Sequence, residues 1–374
     1  MRTVYVAGDN IYSPLGKNTE ANMEALHQGI SGIHPYHSNL SPEPFYAALF
    51  APGDIPPDEY LTRFEQMVFL SASAAMRGAD MLPVDGDTKT GFILSSTKGN
   101  ISLIENLGDG PVPEDRVSLN TSATLIAERL RISTEPLVVS HACISGLLAM
   151  ITGMRLIQSG LYDRLVISGG DLISTFIYSG FRSFQAISQQ PCRPFDAARD
   201  GITLGEAAAT VILTADKTPD SVVLAGGSVS NDANHISGPS RTGEELWLAI
   251  SRALRQADTR PEDIDLISAH GTATRYNDDM EAKAIHLASL KDVPVNSLKG
   301  YFGHTLGAAG ILESVVTIHS MKDHWMIPTK GFSTPGTEKP VNVIQEPKPA
   351  RLRKCLKTAS GFGGCNAAIV LVNG

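Results

Sequence analysis

The sequence predicts an α/β fold, and two observations carry that prediction. Short β-branched runs alternate along the chain with longer amphipathic ones, the pattern of strands and helices packed in layers. Many short runs are apolar without a break, as in Thr210-Val211-Ile212-Leu213, which suits strands covered on both faces. Of 374 residues, 42% are hydrophobic and 19% charged, a globular composition able to bury a large core.

In chain order, Val4-Tyr5-Val6-Ala7-Gly8 reads as a first strand and its turn. Amphipathic spacing then predicts helices over 19–28, 63–79 and 122–129. The apolar run Leu137-Val138-Val139 predicts a strand, 145–159 a helix, and Leu165-Val166-Ile167-Ser168 and Thr210-Val211-Ile212-Leu213 two more strands. A polar seam, Asp216-Lys217-Thr218-Pro219-Asp220, follows. It divides the chain into an N-terminal half, 1–216, and a C-terminal half, 217–374. Beyond it come a strand at 221–224, a helix at 244–256, the strand Leu266-Ile267-Ser268, helices at 279–289 and 308–322, and a terminal strand Ala368-Ile369-Val370-Leu371-Val372. The stretches 106–120, with Gly108, Gly110, Pro111 and Pro113, and 331–349 read as loops. No internal repeat is legible, although the halves could share a fold.

Several classes fall away. With 31 Lys+Arg against 39 Asp+Glu, the formal charge is -8. No long basic run offers nucleic acid a surface. The longest apolar stretches fall well short of the roughly 20 residues that span a bilayer. The N-terminus reads as a strand rather than an export signal. Four cysteines, at 143, 192, 355 and 365, form no CxxC pairing or regular framework, which argues for a reducing compartment. The expected location is the cytoplasm.

Four segments carry chemistry. In Val138-Val139-Ser140-His141-Ala142-Cys143-Ile144-Ser145-Gly146 an apolar strand ends in a tight turn and a helix follows at the cysteine. Such an elbow presents a thiol at a sheet's C-terminal edge, with the helix N-terminus favouring thiolate. The plain alternative is a small buried cysteine. His270 ends a strand in Ser268-Ala269-His270-Gly271-Thr272-Ala273-Thr274, and His304 precedes a helix in Lys299-Gly300-Tyr301-Phe302-Gly303-His304-Thr305-Leu306-Gly307. Glycines beside both allow a ligand close approach to the backbone. A Cys/His/His zinc site competes with a catalytic reading, but short metal-ligand spacings are absent. His141 and His235 have no comparable context. In Ser360-Gly361-Phe362-Gly363-Gly364-Cys365-Asn366 a glycine-rich loop surrounds one aromatic, suiting a backbone N–H aimed at an oxyanion. It is no phosphate fingerprint, because it lacks Lys-Ser/Thr and leads into a strand.

Taken in order, these motifs resemble the β-ketoacyl-acyl-carrier-protein synthases of the I/II type, in the thiolase-like superfamily. The resemblance also rests on Ser13-Pro14-Leu15-Gly16, Arg193-Pro194-Phe195-Asp196, Arg199-Asp200-Gly201, Gly205-Glu206-Ala207 and Asn231-Asp232-Ala233 with His235. Cys-His-His distinguishes this group from the Cys-His-Cys and Cys-His-Asn relatives. The resemblance implies a five-layer αβαβα sandwich of two related halves. It implies decarboxylative condensation of an acyl thioester with malonyl-acyl-carrier protein, in fatty-acid or polyketide and polyene synthesis. Cys143 would be the acylated nucleophile, and His270 and His304 would hold the malonyl thioester carbonyl. Lys299 and Glu313 would form a supporting charge pair, and Asp278 and Glu281 would order the His270 loop. Thr272 and Thr274 would receive the phosphopantetheine arm. Phe362 would be a gating aromatic whose N–H joins that of Cys143 in an oxyanion hole. Phe181 and Ile104 would be pocket walls.

No enzyme-bound cofactor and no metal are implied. The expected partners are an acyl-carrier protein and a second subunit, as a homodimer or as a heterodimer with a chain-length-factor-like chain. Two departures stand out: the 106–120 region is shortened, and Cys365 replaces the usual Thr and reads as a small strand-start residue. Two other readings compete, a pocket-shaping partner subunit and a Cys-His thioester hydrolase. The first would lose the nucleophile; the second would need one base and free access for water. For carrier docking, Arg63 and Arg182 are the candidate cations.

Overall fold

The computed structural model describes residues 2–38, 40–81, 86–105, 107, 110–111, 114–218, 221–233 and 238–374. Two five-stranded halves make one ten-stranded sheet. In the first half the order is Tyr5–Tyr12, Ala207–Thr214, Arg164–Asp171, Thr90–Ser95 and Leu137–Val139. The pairings along it are antiparallel, antiparallel, parallel and parallel. The second half runs Val222–Asn231, Cys365–Asn373, Lys354–Gly361, Leu266–Ser268 and Val295–Asn296, with the same succession of pairings. Both halves therefore place their own strands in the order first, fifth, fourth, second, third. The halves meet where Tyr5 and Val6 pair with Val223 and Val222.

The helices complete five layers. Arg63–Gly78 and Leu119–Arg129 cover the outer face of the first half, in a core with Phe92, Val166 and Ile212. Ser145–Gln158 and Ala309–Asp323 lie between the halves, and their side chains share one core with strands of both. Glu244–Gln256 and Arg275–Leu287 cover the outer face of the second half. Covered on both faces, Ala207–Thr214 is buried at every residue, as its unbroken apolar run predicts. Arg63–Gly78 starts where Thr62 and Glu65 form a capping box. No helix among the described residues is long and apolar enough to cross a membrane.

Several boundaries differ from expectation. The helix expected at 122 starts at Leu119, and that expected at 279 starts at Arg275, after an extended Thr274. Each gains about a turn, Leu119-Asn120-Thr121 and Arg275-Tyr276-Asn277-Asp278, that adds no regular apolar period. The strand expected at 221–224 runs over Val222–Asn231. Helix Thr175–Ser183 was not legible; Ser174 caps it, and Glu105 accepts the amides of Thr175 and Phe176. The 106–120 stretch is not all loop, since Glu114–Val117 is a short helix; Gly108 and Pro113 lie outside the described residues.

Candidate active site

Cys143 is placed by the turn that follows Leu137–Val139. Ala142 takes φ 46 to reverse the chain, and Ser145 Oγ ties the turn by accepting from His141 N (2.7 Å) and donating to Ala142 O (2.6 Å). The helix begins at Ser145, with Ile144 as its cap, so the cysteine stands just ahead of the first turn rather than in it. Its residue exposure is only 7%. Contrary to the expected stabilised thiolate, burial, with a smaller push from neighbouring Cys365, drives this thiol up to about 12. Lys299 and the Phe362 amide act in the other direction. Desolvation of a full charge outweighs one helix terminus, and the resting residue is a neutral thiol.

The second half brings two imidazoles to the same point. His270 leaves the end of Leu266–Ser268, its amide and that of Gly271 each 2.8 Å from the two oxygens of Glu281. Asp278 accepts from Thr272 N (3.0 Å) and Phe195 N (2.8 Å). These two carboxylates shape the loop from inside, and burial raises Asp278 to about 7. His304 reaches the site because Gly205 lies against its loop: a Cβ at Gly205 would strike the Phe302 carbonyl, and Gly205 N donates to His304 O at 3.1 Å. The two rings stand edge to face, with centroids 5.2 Å apart.

The imidazole hydrogen bonds fix their tautomers. Leu306 N–H donates to His304 Nδ1 at 3.2 Å, which leaves the proton on Nε2, a buried atom with no protein partner among the described residues. Lys299 Nζ lies 3.4 Å from His270 Nδ1 and, as an ammonium, can only donate to it. Both rings thus offer an Nε2–H. Burial first, then Lys299, holds both imidazoles well below their ordinary range, neutral at physiological pH.

Behind the rings lies a buried charge cluster. Lys299 Nζ is 2.7 Å from Glu313 Oε1 and donates to His270 O at 2.6 Å. Glu313 Oε2 is 2.7 Å from Lys357 Nζ. The ligand atoms of Cys143, His270 and His304 lie within 4.8 Å of one another, which also revives the zinc reading. Two ammoniums against one carboxylate make a poor setting for a dication, and one of them occupies His270 Nδ1. The same field favours an anion.

A narrow cavity of about 80 Å³ opens onto this cluster, with Phe181, Thr272, Thr274 and Phe362 in its wall. The two threonine hydroxyls are 2.9 Å apart. The Phe362 ring lies between Phe181 and Phe184, at 5.5 and 5.4 Å. Ile104 is not in this wall; it sits 39% exposed on the four-residue helix Ser102–Glu105. The expectation for it came from the resemblance alone, with no motif of its own around it. Arg63 stands 3.7 Å from buried Glu206, and Arg182 stands 3.7 Å from exposed Glu43. His235 lies outside the described residues. Cys365 begins the strand Cys365–Asn373, as expected, with its thiol 3.3 Å from Phe362 O.

Three participants were not singled out from sequence. Lys357 resembles any strand lysine until both faces of its strand are covered. Asp171, fully buried, accepts from Gly307 N (2.7 Å), Ser96 Oγ (2.8 Å) and Lys98 N (3.1 Å), fixing the loop after His304 to the first half. Phe184 belongs to a segment with no periodic signal.

The comparisons with known proteins agree with this geometry. Residues 1–218 match the family described as "Beta-ketoacyl synthase, N-terminal domain" and residues 221–333 its "C-terminal domain". The 3-oxoacyl-[acyl-carrier-protein] synthase 2 of Vibrio cholerae is 30% identical over 415 residues, covering 99% of this chain and 98% of that protein. The solved ketosynthase in complex with its chain length factor from Xenorhabdus doucetiae is similar at a TM-score of 0.91 and 26% identity, covering 100% of this chain and 98% of that one. The ishigamide ketosynthase/chain length factor is similar at 0.89 and 26%, covering 100% and 99%.

Proposed function

The chain belongs to the β-ketoacyl synthase family, and from that premise we propose how its own residues carry out the condensation. The reaction joins an acyl thioester to malonyl-acyl-carrier protein with loss of CO2 and gives 3-oxoacyl-acyl-carrier protein. The observation that carries the assignment is the convergence of Cys143 with the two neutral imidazoles of His270 and His304.

Cys143 sulfur attacks the acyl thioester; the carrier thiol leaves with the proton, and an acyl-cysteine remains. The amides of Cys143 and Phe362 bind the passing oxyanion. Malonyl-carrier then enters, its arm met by Thr272 and Thr274, and its thioester oxygen takes the Nε2–H groups of His270 and His304. Loss of CO2 leaves an enolate that these donors stabilise. Its carbon attacks the acyl-cysteine, and Cys143 departs and regains a proton. One cysteine serves both halves, so the kinetics are ping-pong. Neutral donors fit an enolate better than imidazolium would, since a full proton transfer would quench the carbanion. No resident cofactor is needed, because the phosphopantetheine arrives on the carrier. The retained thiol argues against a purely pocket-shaping subunit, and the Phe181 and Phe362 rings in the cavity wall argue against a hydrolase. Incubation with malonyl-carrier and a panel of acyl-carriers should release CO2 and add the acyl mass to the Cys143 peptide. An unmodified Cys143 with no CO2 would sink the reading.

The partners in this reading are an acyl-carrier protein and a second subunit, either another copy or a chain-length-factor-like chain. The exposed edge strand Leu137–Val139, adjoining the nucleophile turn, supports pairing there. The cytoplasm is the compartment we assign. With a formal charge of -8, attraction of an acidic carrier must be local. Arg182 suits this, being half exposed next to Phe181. Arg63 suits it less, because it faces the buried Glu206 carboxylate. Arg182→Glu is expected to raise the apparent KM for acyl-carrier several-fold and to leave a small pantetheine thioester unaffected. Equal KM values for both substrates in that variant would remove Arg182 from the docking face.

A further inference from the structure

Lys357 is a fully buried lysine to which the reaction described above gives no task; burial pushes its ammonium down, and the Glu313 carboxylate acts against that. It extends from Lys354–Gly361 and donates to Ser268 O (3.2 Å), Ala269 O (3.2 Å) and Thr358 O (2.7 Å). Lys299 takes the next carbonyl, that of His270, at 2.6 Å. Three successive carbonyls that lead into His270 are therefore held by two ammoniums, and both ammoniums meet on the carboxylate of Glu313. A buried lysine must shed its water where an aliphatic side chain would simply pack. Shape alone does not call for one here.

We propose that Lys357 is a positioning residue of the condensation site, which fixes the backbone entering His270 and, by sharing Glu313 with Lys299, leaves net positive charge behind both imidazoles. The inference rests on the condensation reading. The charged and titratable groups around the ring pair are the Cys143 and Cys365 thiols, Lys299, Lys357, Glu313, and the loop carboxylates Glu281, Asp278 and Asp171. Those three carboxylates are directed at backbone amides, and Glu281 also accepts from Thr358 Oγ1 and acts on Lys357 from a distance. With one carboxylate for two ammoniums, the field behind the rings disfavours imidazolium and favours the enolate. Burial and the two lysines lower both imidazoles in the same sense.

The test follows CO2 release from malonyl-carrier and the ring resonances of labelled histidine together, from about pH 8 down to the lowest pH at which the protein stays folded. Lys357→Met keeps the length and removes the charge, so Glu313 is matched by Lys299 alone. Both imidazole midpoints and the acid limb of the rate should rise by about one pH unit, a roughly tenfold loss on the acid side relative to the plateau. Glu313→Gln leaves two ammoniums uncompensated and should move the midpoints down. A merely structural role cannot give opposite shifts. A loss uniform across pH with unmoved midpoints, or shifts of the same sign, overturns the proposal. Should Lys357→Met not fold, an unmoved or raised midpoint in Glu313→Gln overturns it alone. Wild-type protein that releases no CO2 would count against the condensation reading instead, and the resonance shifts would still decide the part of Lys357.

Discussion

Cys143→Ala is expected to abolish condensation and leave the fold in place. The loss should be at least about four orders of magnitude, since no other group can carry the acyl chain between the two half-reactions. Cys365 cannot stand in for it, because its thiol is turned onto the carbonyls of Phe362 (3.3 Å) and His141 (3.8 Å). The substitution removes one heavy atom from a nearly closed site, so the stability cost should be about 1 kcal/mol. A denaturant midpoint near that of the wild type separates loss of chemistry from loss of fold. Condensation that persisted in the variant would end the nucleophile assignment. Cys143→Gln adds a further contrast, because an amide side chain fills the acyl position. It should retain CO2 release from malonyl-carrier, since the imidazole donors are untouched. Absence of that release would revise only the decarboxylation step.

What the sequence made legible was local. The elbow around Cys143 could be read because a strand, a tight turn and a helix follow one another within a few residues. The two histidines could be read because glycines and threonines sit beside them. What stayed hidden was set by burial. The thiol was expected to be stabilised as thiolate by a helix terminus, but its charge state is decided by layers from both halves that close over it. Lys357 alternates with its neighbours as any strand lysine does, and becomes an interior cation only when Leu266–Ser268 and Ala309–Asp323 pack beside it. Asp171 is similar: its work is to hold Gly307, far along the chain. Ile104 was placed by resemblance alone, and it lies outside the cavity wall. The repeated strand order of the halves left no trace in residue identity, because packing needs only apolar residues of suitable size.

The histidines should separate the two half-reactions. In His270→Ala or His304→Ala, CO2 release from malonyl-carrier is expected to fall by about 10²–10³, the usual effect of removing one preorganised donor to a developing oxyanion. Acylation of Cys143 should fall far less, because in the proposed mechanism its oxyanion is met by the backbone amides of Cys143 and Phe362, which neither substitution touches. The asymmetry follows from geometry. Each ring offers one Nε2–H to the enolate oxygen, and the two rings face the same cavity. The two variants should also differ from each other. His304 is held through Nδ1 by a single backbone amide, whereas loss of the His270 ring frees Lys299 from one of its partners. His270→Ala should therefore disturb the Lys299–Glu313 pair and cost more stability than His304→Ala. Radiolabelled acyl-enzyme formation, CO2 release and denaturant midpoints measure the three quantities separately. Loss of acylation with decarboxylation retained, in both variants, would reverse the roles assigned to the cysteine and the imidazoles.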